Sequence, residues 1–406
     1  MAKIYNEALD STVELKRVIG HIQGAKPGPT LIFIGGIHGN EPSGVFALNK
    51  VVEELCHQDI ELQGNLYALS GNLWALEKGV RFHRQDLNRL WTVDKVRALE
   101  NDRIGVNNED VNQQVEIYTL IRHILDTESG PFYFFDLHTT SSTTIPFLTV
   151  NDSLLNRKFI QQYPVPMILG IEEYLDGPFL SYINELGYVS FGFEAGQHDD
   201  PASIENHIAF IYLSLVFANV VAKESINFEQ YYQRLAKASG YIRSFYEIFY
   251  CYKIKAGEKF TMLPGYLNFQ QVKKGQLLAK SNNKPVLAPN TSRIFMPLYQ
   301  SQGDDGFYSI RSIRPIFLAL SAVLRKCRLD RIVPLLPGVR WATVYKDSLI
   351  VNRKIARFFA KQLLHLLGYR CKQMNGTYLM IKSREFASRT KEYQKESWNQ
   401  RHPIKN

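Results

Sequence analysis

Three residues of this chain have the types and spacing to hold a metal ion. His38 and Glu41 stand three apart in Gly36–Ile37–His38–Gly39–Asn40–Glu41. A helical turn beginning there puts an imidazole and a carboxylate on one face. Zinc hydrolases often add a second, distant His and leave the fourth position for water, and His138 in Asp136–Leu137–His138 supplies it. The spacing alone is cheap, because His83/Asp86 and His123/Asp126 share it. What singles out His38 and His138 is the strand pattern before each. Asp136 is either an orienting partner for a metal-bound imidazole or a structural carboxylate. Glu194 closes another apolar run, Phe191–Gly192–Phe193. In a desolvated cleft it could take a proton from water and pass it to a leaving amine. The alternative is a helix N-terminal carboxylate favoured by the dipole. In the polar segment Arg81–Trp91, Arg81 could polarise a carbonyl. Asn88 and Arg89 could hold a carboxylate, the Arg through a forked pair of hydrogen bonds; otherwise these are solvated loop residues.

These groups need elements that bring them together. Leu31–Ile34 followed by Gly35–Gly36 predicts a buried strand ending in a tight turn. A helix is expected from about Pro42, with Val45, Leu48, Val51, Val52 and Leu55 at helical spacing. Further strands are predicted around Gly64–Ser70, over 132–137 and ending at Glu194, with helices over 112–126 and 202–222. This alternation predicts an α/β fold with a mixed central sheet flanked by helices and ligand groups at strand carboxyl ends. The catalytic domain is expected over 1–235. Short strands punctuated by Gly, Pro and Asn predict a β-rich module over 236–324 bordering the cleft. A basic α+β extension follows over 325–406, with strands near 341–351 and 377–382 and a frayed polar tail.

The chain has 406 residues, 45% hydrophobic and 21% charged, which is the balance of a globular protein rather than a disordered one. Its start lacks a signal-peptide pattern, and the apolar run 208–222 is too short and polar to cross a bilayer, so a buried helix is expected. Four scattered cysteines with no CxxC spacing argue against a disulfide framework and a thiolate metal site. The expected location is cytoplasmic. Residues 325–406 carry 19 Lys/Arg against 5 Asp/Glu, net +14, which leaves −5 for the first 324 residues of a chain whose net charge is +9. The basicity therefore belongs to the extension. There Arg353, Lys354, Arg357 and Lys361 share an expected helix with Phe358, Phe359, Leu363 and Leu364. Such a helix can bind nucleic acid or a membrane surface; with no nucleic-acid-binding motif in support, a domain-packing helix with a solvated basic face is the expectation.

Gly36–Ile37–His38–Gly39–Asn40–Glu41, Arg81 with Asp86–Leu87–Asn88–Arg89, Asp136–Leu137–His138 and Glu194–Ala195–Gly196 occur in this order. Together the chain resembles the succinylglutamate desuccinylase/aspartoacylase family, related to zinc carboxypeptidases, over about 1–320. The resemblance implies one Zn2+ per chain on His38, Glu41 and His138, with Glu194 as acid/base and Arg81 polarising the carbonyl. It implies Asn88 and Arg89 as carboxylate-binding residues, and a substrate-binding tyrosine at Tyr299 or Tyr308, of which Tyr299 is preferred. The expected activity is hydrolysis of an N-acyl amino acid or similar small carboxylate, by amide or ester cleavage. The rival readings are a carboxypeptidase-type peptidase and a non-catalytic binding protein acting through the extension, which the small family members lack.

Overall fold

Four consecutive apolar residues such as Leu31–Ile34 are all buried only where both faces of their strand are covered. The computed structural model, which describes residues 2–6, 11–58, 60–100, 108–352, 354–355, 360–373 and 378–400, covers both. Leu31 and Phe33 of strand Lys26–Gly35 pack into one core with Val45 and Leu48 of helix Ser43–His57 and with Phe210 of helix Pro201–Phe217. Ile32 and Ile34 enter a second core with Ile117 and Ile121 of helix Glu109–Thr127 and Ile183 of helix Phe179–Leu186. The alternation is the strand's own two-residue period. Helix Pro201–Phe217 is the buried helix expected from the apolar run, and no helix among the described residues is long and apolar enough to cross a membrane.

Lys26–Gly35 pairs in parallel with Gln63–Ser70 on one side and with Phe132–Thr140 on the other. Phe132–Thr140 pairs in parallel with Val189–Gln197, with His138 opposite Glu194. Three neighbouring parallel strands therefore deliver His38, His138 and Glu194 to one edge of the sheet, where open α/β sheets place ligands. Mixed character comes from antiparallel neighbours: Val18–Gln23 against Gln63–Ser70, and Phe147–Val150 against Val189–Gln197.

Residues 236–324 form antiparallel strands, but most of these extend the central sheet. Strand Phe245–Lys253 pairs in parallel with Met167–Leu169 and antiparallel with Asp305–Ser312, making one sheet of 11 strands. Short strands such as Met167–Leu169, three residues between a Pro-rich loop and Gly170, escape a periodicity reading. The extension has its own four-stranded sheet, built from Val339–Trp341, Ser348–Asn352, Tyr369–Gln373 and Tyr378–Ser383. Of the basic helix expected over 353–367, Ala360–Leu366 is helical. Arg353, Arg357, Phe358 and Phe359 lie outside the described residues, as does the side chain of Lys361.

The expected frayed tail is corrected. Residues 387–400 pack on the central sheet: the fully buried Tyr393 donates its hydroxyl to the Phe132 carbonyl and accepts the Val189 N–H at 3.0 Å. Trp398 Nε1 donates to the Tyr133 hydroxyl at 3.0 Å. Two aromatics in a polar run bury enough surface to hold it, and a polar average conceals them. Residues 401–406 lie outside the described residues.

A buried ionic cluster also ties the extension down. Asp152 accepts from Arg157, from Arg325 at 3.0 Å and from Arg384 at 2.9 Å, and Arg384 also reaches Glu172 at 3.1 Å. Burial disfavours the Asp152 charge, but the three guanidiniums win and hold its carboxyl well below the ordinary range. A carboxylate depressed in the folded state contributes stability that is present above its unfolded value, near 4, and lost as pH falls below it. Thermal unfolding is therefore expected to show the wild type losing stability between about pH 5 and 2. Asp152→Asn, which leaves three cations without their counter-charge, is expected to cost about 3–5 kcal/mol at neutral pH. A variant as stable as the wild type at pH 7 would remove the cluster from the account.

Candidate active site

The strand Lys26–Gly35 ends in a turn that only glycine permits. Gly36 has φ 73°, and a Cβ on Gly39 would stand 2.0 Å from the Ala75 carbonyl carbon. His38 and Glu41 lie on this turn, just before helix Ser43–His57 rather than within it, with Glu41 N–H donating to His38 O at 3.1 Å. Both side chains are buried, and His138 arrives from the neighbouring strand end. His38 Nδ1 is 2.9 Å from Glu41 Oε1, and His138 Nδ1 is 2.9 Å from Glu41 Oε2. One potential ligand atom from each of the three falls within 4.8 Å of the others, so this buried group could bind a metal ion.

The other imidazole nitrogens are held by carboxylates. His38 Nε2 lies 3.0 Å from Asp86 Oδ1, and His138 Nε2 lies 2.7 Å from Asp136 Oδ2. Partners of this kind fix the ring so that the opposite nitrogen faces the metal. Two imidazoles, one carboxylate and two orienting carboxylates fit zinc, which takes such mixed N/O sets. Asp86 is the residue that sequence reasoning missed. It stands inside the Asp86–Leu87–Asn88–Arg89 motif, but its visible partner there was His83, and the chain instead turns it toward His38.

Glu194 lines the same cleft from within strand Val189–Gln197. The helix N-terminal alternative does not hold, since Asp200 caps the following helix by accepting Ala202 N–H at 2.9 Å. Glu194 is 5% exposed and its Oε2 has no hydrogen-bond partner. Burial pushes its carboxyl up from 4.5 to about 8, with the Glu41 and Asp136 charges adding and His138 and Arg81 opposing. A carboxyl held there can accept and return a proton near neutral pH.

The segment Arg81–Trp91 is anchored rather than solvated. The buried Asp110 accepts the backbone N–H groups of His83, Arg84 and Gln85 at 3.0, 2.7 and 2.9 Å, and an amide N–H of Asn72 at 2.9 Å. Arg81 is thereby set against Asp86 at 3.1 Å and Glu41 at 3.5 Å. Each orphaned buried donor costs about 1–3 kcal/mol. Asp110→Ala is therefore expected to lower stability by about 3 kcal/mol or more in denaturant unfolding. An unchanged midpoint would mean the segment holds itself.

Asn88 and Arg89 also line the cleft. Asn88 Oδ1 accepts Phe179 N–H at 2.8 Å, which leaves its amide nitrogen as the donor. Arg89 lies 3.6 Å from Asp305, which also meets Lys253 at 2.5 Å and accepts the Tyr308 hydroxyl at 2.7 Å. Tyr299 is not brought to the cleft lining. Its hydroxyl is taken up inside the β strands' loops, donating to Leu263 O at 2.8 Å and accepting Tyr266 N–H at 3.0 Å. Tyr308, buried, lines the cleft instead. His198 was not singled out from the sequence. It also lines the cleft, with Nδ1 2.8 Å from Thr139 Oγ1 and Nε2 3.3 Å from Gln300 Oε1.

Residues 27–211 match the family described as succinylglutamate desuccinylase/aspartoacylase catalytic domain. A succinylglutamate desuccinylase of Pseudomonas fluorescens (strain Pf0-1) is 31% identical over 88 residues, covering 20% of this chain and 26% of that protein. An aspartoacylase of Xenopus tropicalis is 32% identical over 133 residues, covering 31% and 39%. The chain thus spans well under half the length of the curated relatives it matches. A crystal structure of a succinylglutamate desuccinylase/aspartoacylase from Rhodobacter sphaeroides shares the fold, with TM-score 0.53, 16% identity and coverage of 77% of this chain and 94% of that one. Over residues 27–211, therefore, the chain is similar to the catalytic domain of the succinylglutamate desuccinylase/aspartoacylase family.

Proposed function

We propose that this chain is a zinc-dependent deacylase that hydrolyses an N-acyl amino acid or a similar small carboxylate. The observation that carries the reading is the opening of the buried His38–Glu41–His138 group into the same cleft as Glu194, a buried carboxyl with an unpartnered oxygen. His38, Glu41 and His138 would hold the ion, whose Lewis acidity would serve to polarise a carbonyl and acidify water. Glu194 takes a proton from the attacking water and delivers it to the leaving nitrogen. Arg81, fixed by Asp86, stabilises negative charge developing on the carbonyl oxygen. Asn88 and Arg89 bind the substrate carboxylate, and Tyr308 rather than Tyr299 is the tyrosine beside it.

The strand Asp305–Ser312 and the loop before it form one wall of the cleft, which supports a small substrate over a peptide. The paired carboxylates around both imidazoles argue against a vestigial site, and so against the binding-protein reading. The test is elemental analysis of the purified protein beside an assay of amine release from N-acetyl and N-succinyl amino acids, with and without a chelator. Stoichiometric zinc with chelator-sensitive release supports the proposal; a metal-replete protein that releases no amine refutes it.

A further inference from the structure

The helix Pro315–Lys326, which opens the extension, has the reverse of the usual polarity. Leu318, Ser321 and Arg325, at i, i+3 and i+7, share its inner side. Ser321 Oγ donates to Leu366 O at 2.7 Å. Arg325 donates to Leu366 O at 3.2 Å and to His365 O and Asp152 at 3.0 Å each. Ile316, Leu320 and Val323, at i, i+4 and i+7, share the other side with Phe317, and all four are exposed, Ile316 to 70%. A surface helix ordinarily turns its apolar stripe to the core. This one uses its inner side for polar anchoring and leaves the stripe uncovered. The 3₁₀ turn Leu329–Leu335 packs beside it and adds Ile332 and Leu335, the latter 83% exposed. Single exposed apolar residues are ordinary, but a stripe of them marks a surface that binds.

The charge around the stripe selects what binds. Arg314 precedes the helix, Lys326 ends it, and Arg328 and Arg331 follow on the turn, all four exposed. Asp330 is the only acidic residue between Arg314 and Leu336, and residues 325–406 carry net +14. A second copy docked about a twofold axis would set these cations against their own counterparts. A nucleic acid would meet the cations, but the aliphatic side chains offer its bases neither hydrogen bonds nor stacking. An anionic bilayer satisfies both halves of the surface. Aliphatic side chains enter the acyl boundary while Arg and Lys heads stay among the phosphates.

We infer that Pro315–Lys326 and the turn after it dock the protein on an anionic phospholipid membrane. The helix has 12 residues, too few to span a bilayer, and so lies in the plane of the interface. The test is sedimentation of the full chain with sucrose-loaded vesicles, of phosphatidylcholine alone or with phosphatidylglycerol as the minor component. Binding to the anionic vesicles is expected, and it should weaken as salt rises. Leu320→Glu/Val323→Glu is expected to reduce it to background with an unchanged melting temperature, because both side chains face solvent. Arg328→Ala/Arg331→Ala is expected to weaken the partition roughly 20-fold. A wild type that ignores anionic vesicles overturns the inference, whether it proves instead to be a dimer that Leu320→Glu/Val323→Glu dissociates or a binder of a single-stranded oligonucleotide. Vesicle binding that Leu320→Glu/Val323→Glu keeps at full strength also overturns it. Should that variant not fold, Leu320→Ala takes its place, with a loss of about tenfold expected and an unchanged partition overturning the inference. None of these readouts involves amine release, so the inference stands or falls apart from the deacylase reading.

Discussion

Replacing Glu194 by Gln is expected to lower turnover roughly 10²- to 10⁴-fold, the usual scale for removing a positioned general acid/base. The zinc content should stay at the wild-type level. The two effects separate because Glu194 is not one of the three clustered ligand residues, yet it sits opposite His138 on the neighbouring strand. Gln keeps the shape and can still donate a hydrogen bond, but it cannot hold a proton and return it. The substitution replaces a carboxyl that burial keeps largely protonated near neutral pH by a neutral amide of the same shape, so stability is expected to change little. The measurement is kcat on whichever N-acetyl amino acid is best hydrolysed, together with metal analysis of the same sample. Wild-type turnover in this variant would sink the mechanism. Lost turnover accompanied by lost zinc would make Glu194 a ligand rather than a base.

His38→Ala is expected to abolish both metal binding and activity. The proposed zinc site would have three protein ligands, the minimum that catalytic zinc sites use alongside water. Deleting one also leaves Glu41 buried beside a single imidazole, with Asp86 deprived of the ring that it orients. Elemental analysis should read about one zinc per chain in the wild type and close to none in the variant. Adding zinc should raise the melting temperature of the wild type only, because a ligand stabilises a fold in proportion to its binding. The milder Asp86→Asn keeps all three ligands and is expected to weaken metal affinity or activity about 10- to 100-fold, as removal of an orienting partner usually does. A His38→Ala protein that retains stoichiometric zinc would place the metal elsewhere.

Much of this site was legible because its signals are local. The apolar strand followed by Gly35–Gly36 places a turn, and a turn of this kind can hold His38 and Glu41 together whatever the rest of the chain does. The same holds for Asp136–Leu137–His138 and for Glu194 before Ala195–Gly196. Strand-helix alternation was enough to predict a mixed sheet with ligands at its carboxyl edge, since few topologies satisfy short, right-handed connections. Arg81, Asn88 and Arg89 could be named but not placed, because a polar segment without periodicity takes its shape from what it touches. Here that is Asp110, which arrives from helix Glu109–Thr127 and accepts three backbone N–H groups.

The sequence by itself determined which residues could do chemistry and that a mixed sheet flanked by helices would carry them, through residue type, strand period and glycine turns. Only the tertiary structure decided who faces whom. Asp86 reaches His38 across 48 positions, Arg89 meets Asp305 across the cleft, and Tyr308 rather than Tyr299 turns inward. It also decided that strands beyond residue 240 continue the central sheet, and that Arg325, Arg384, Tyr393 and Trp398 fasten the extension to the rest of the fold. The physical reason is the same in each case. A hydrogen bond or ion pair between distant residues depends on which strands become neighbours, and that is settled by the packing of whole faces rather than by any pattern within one segment.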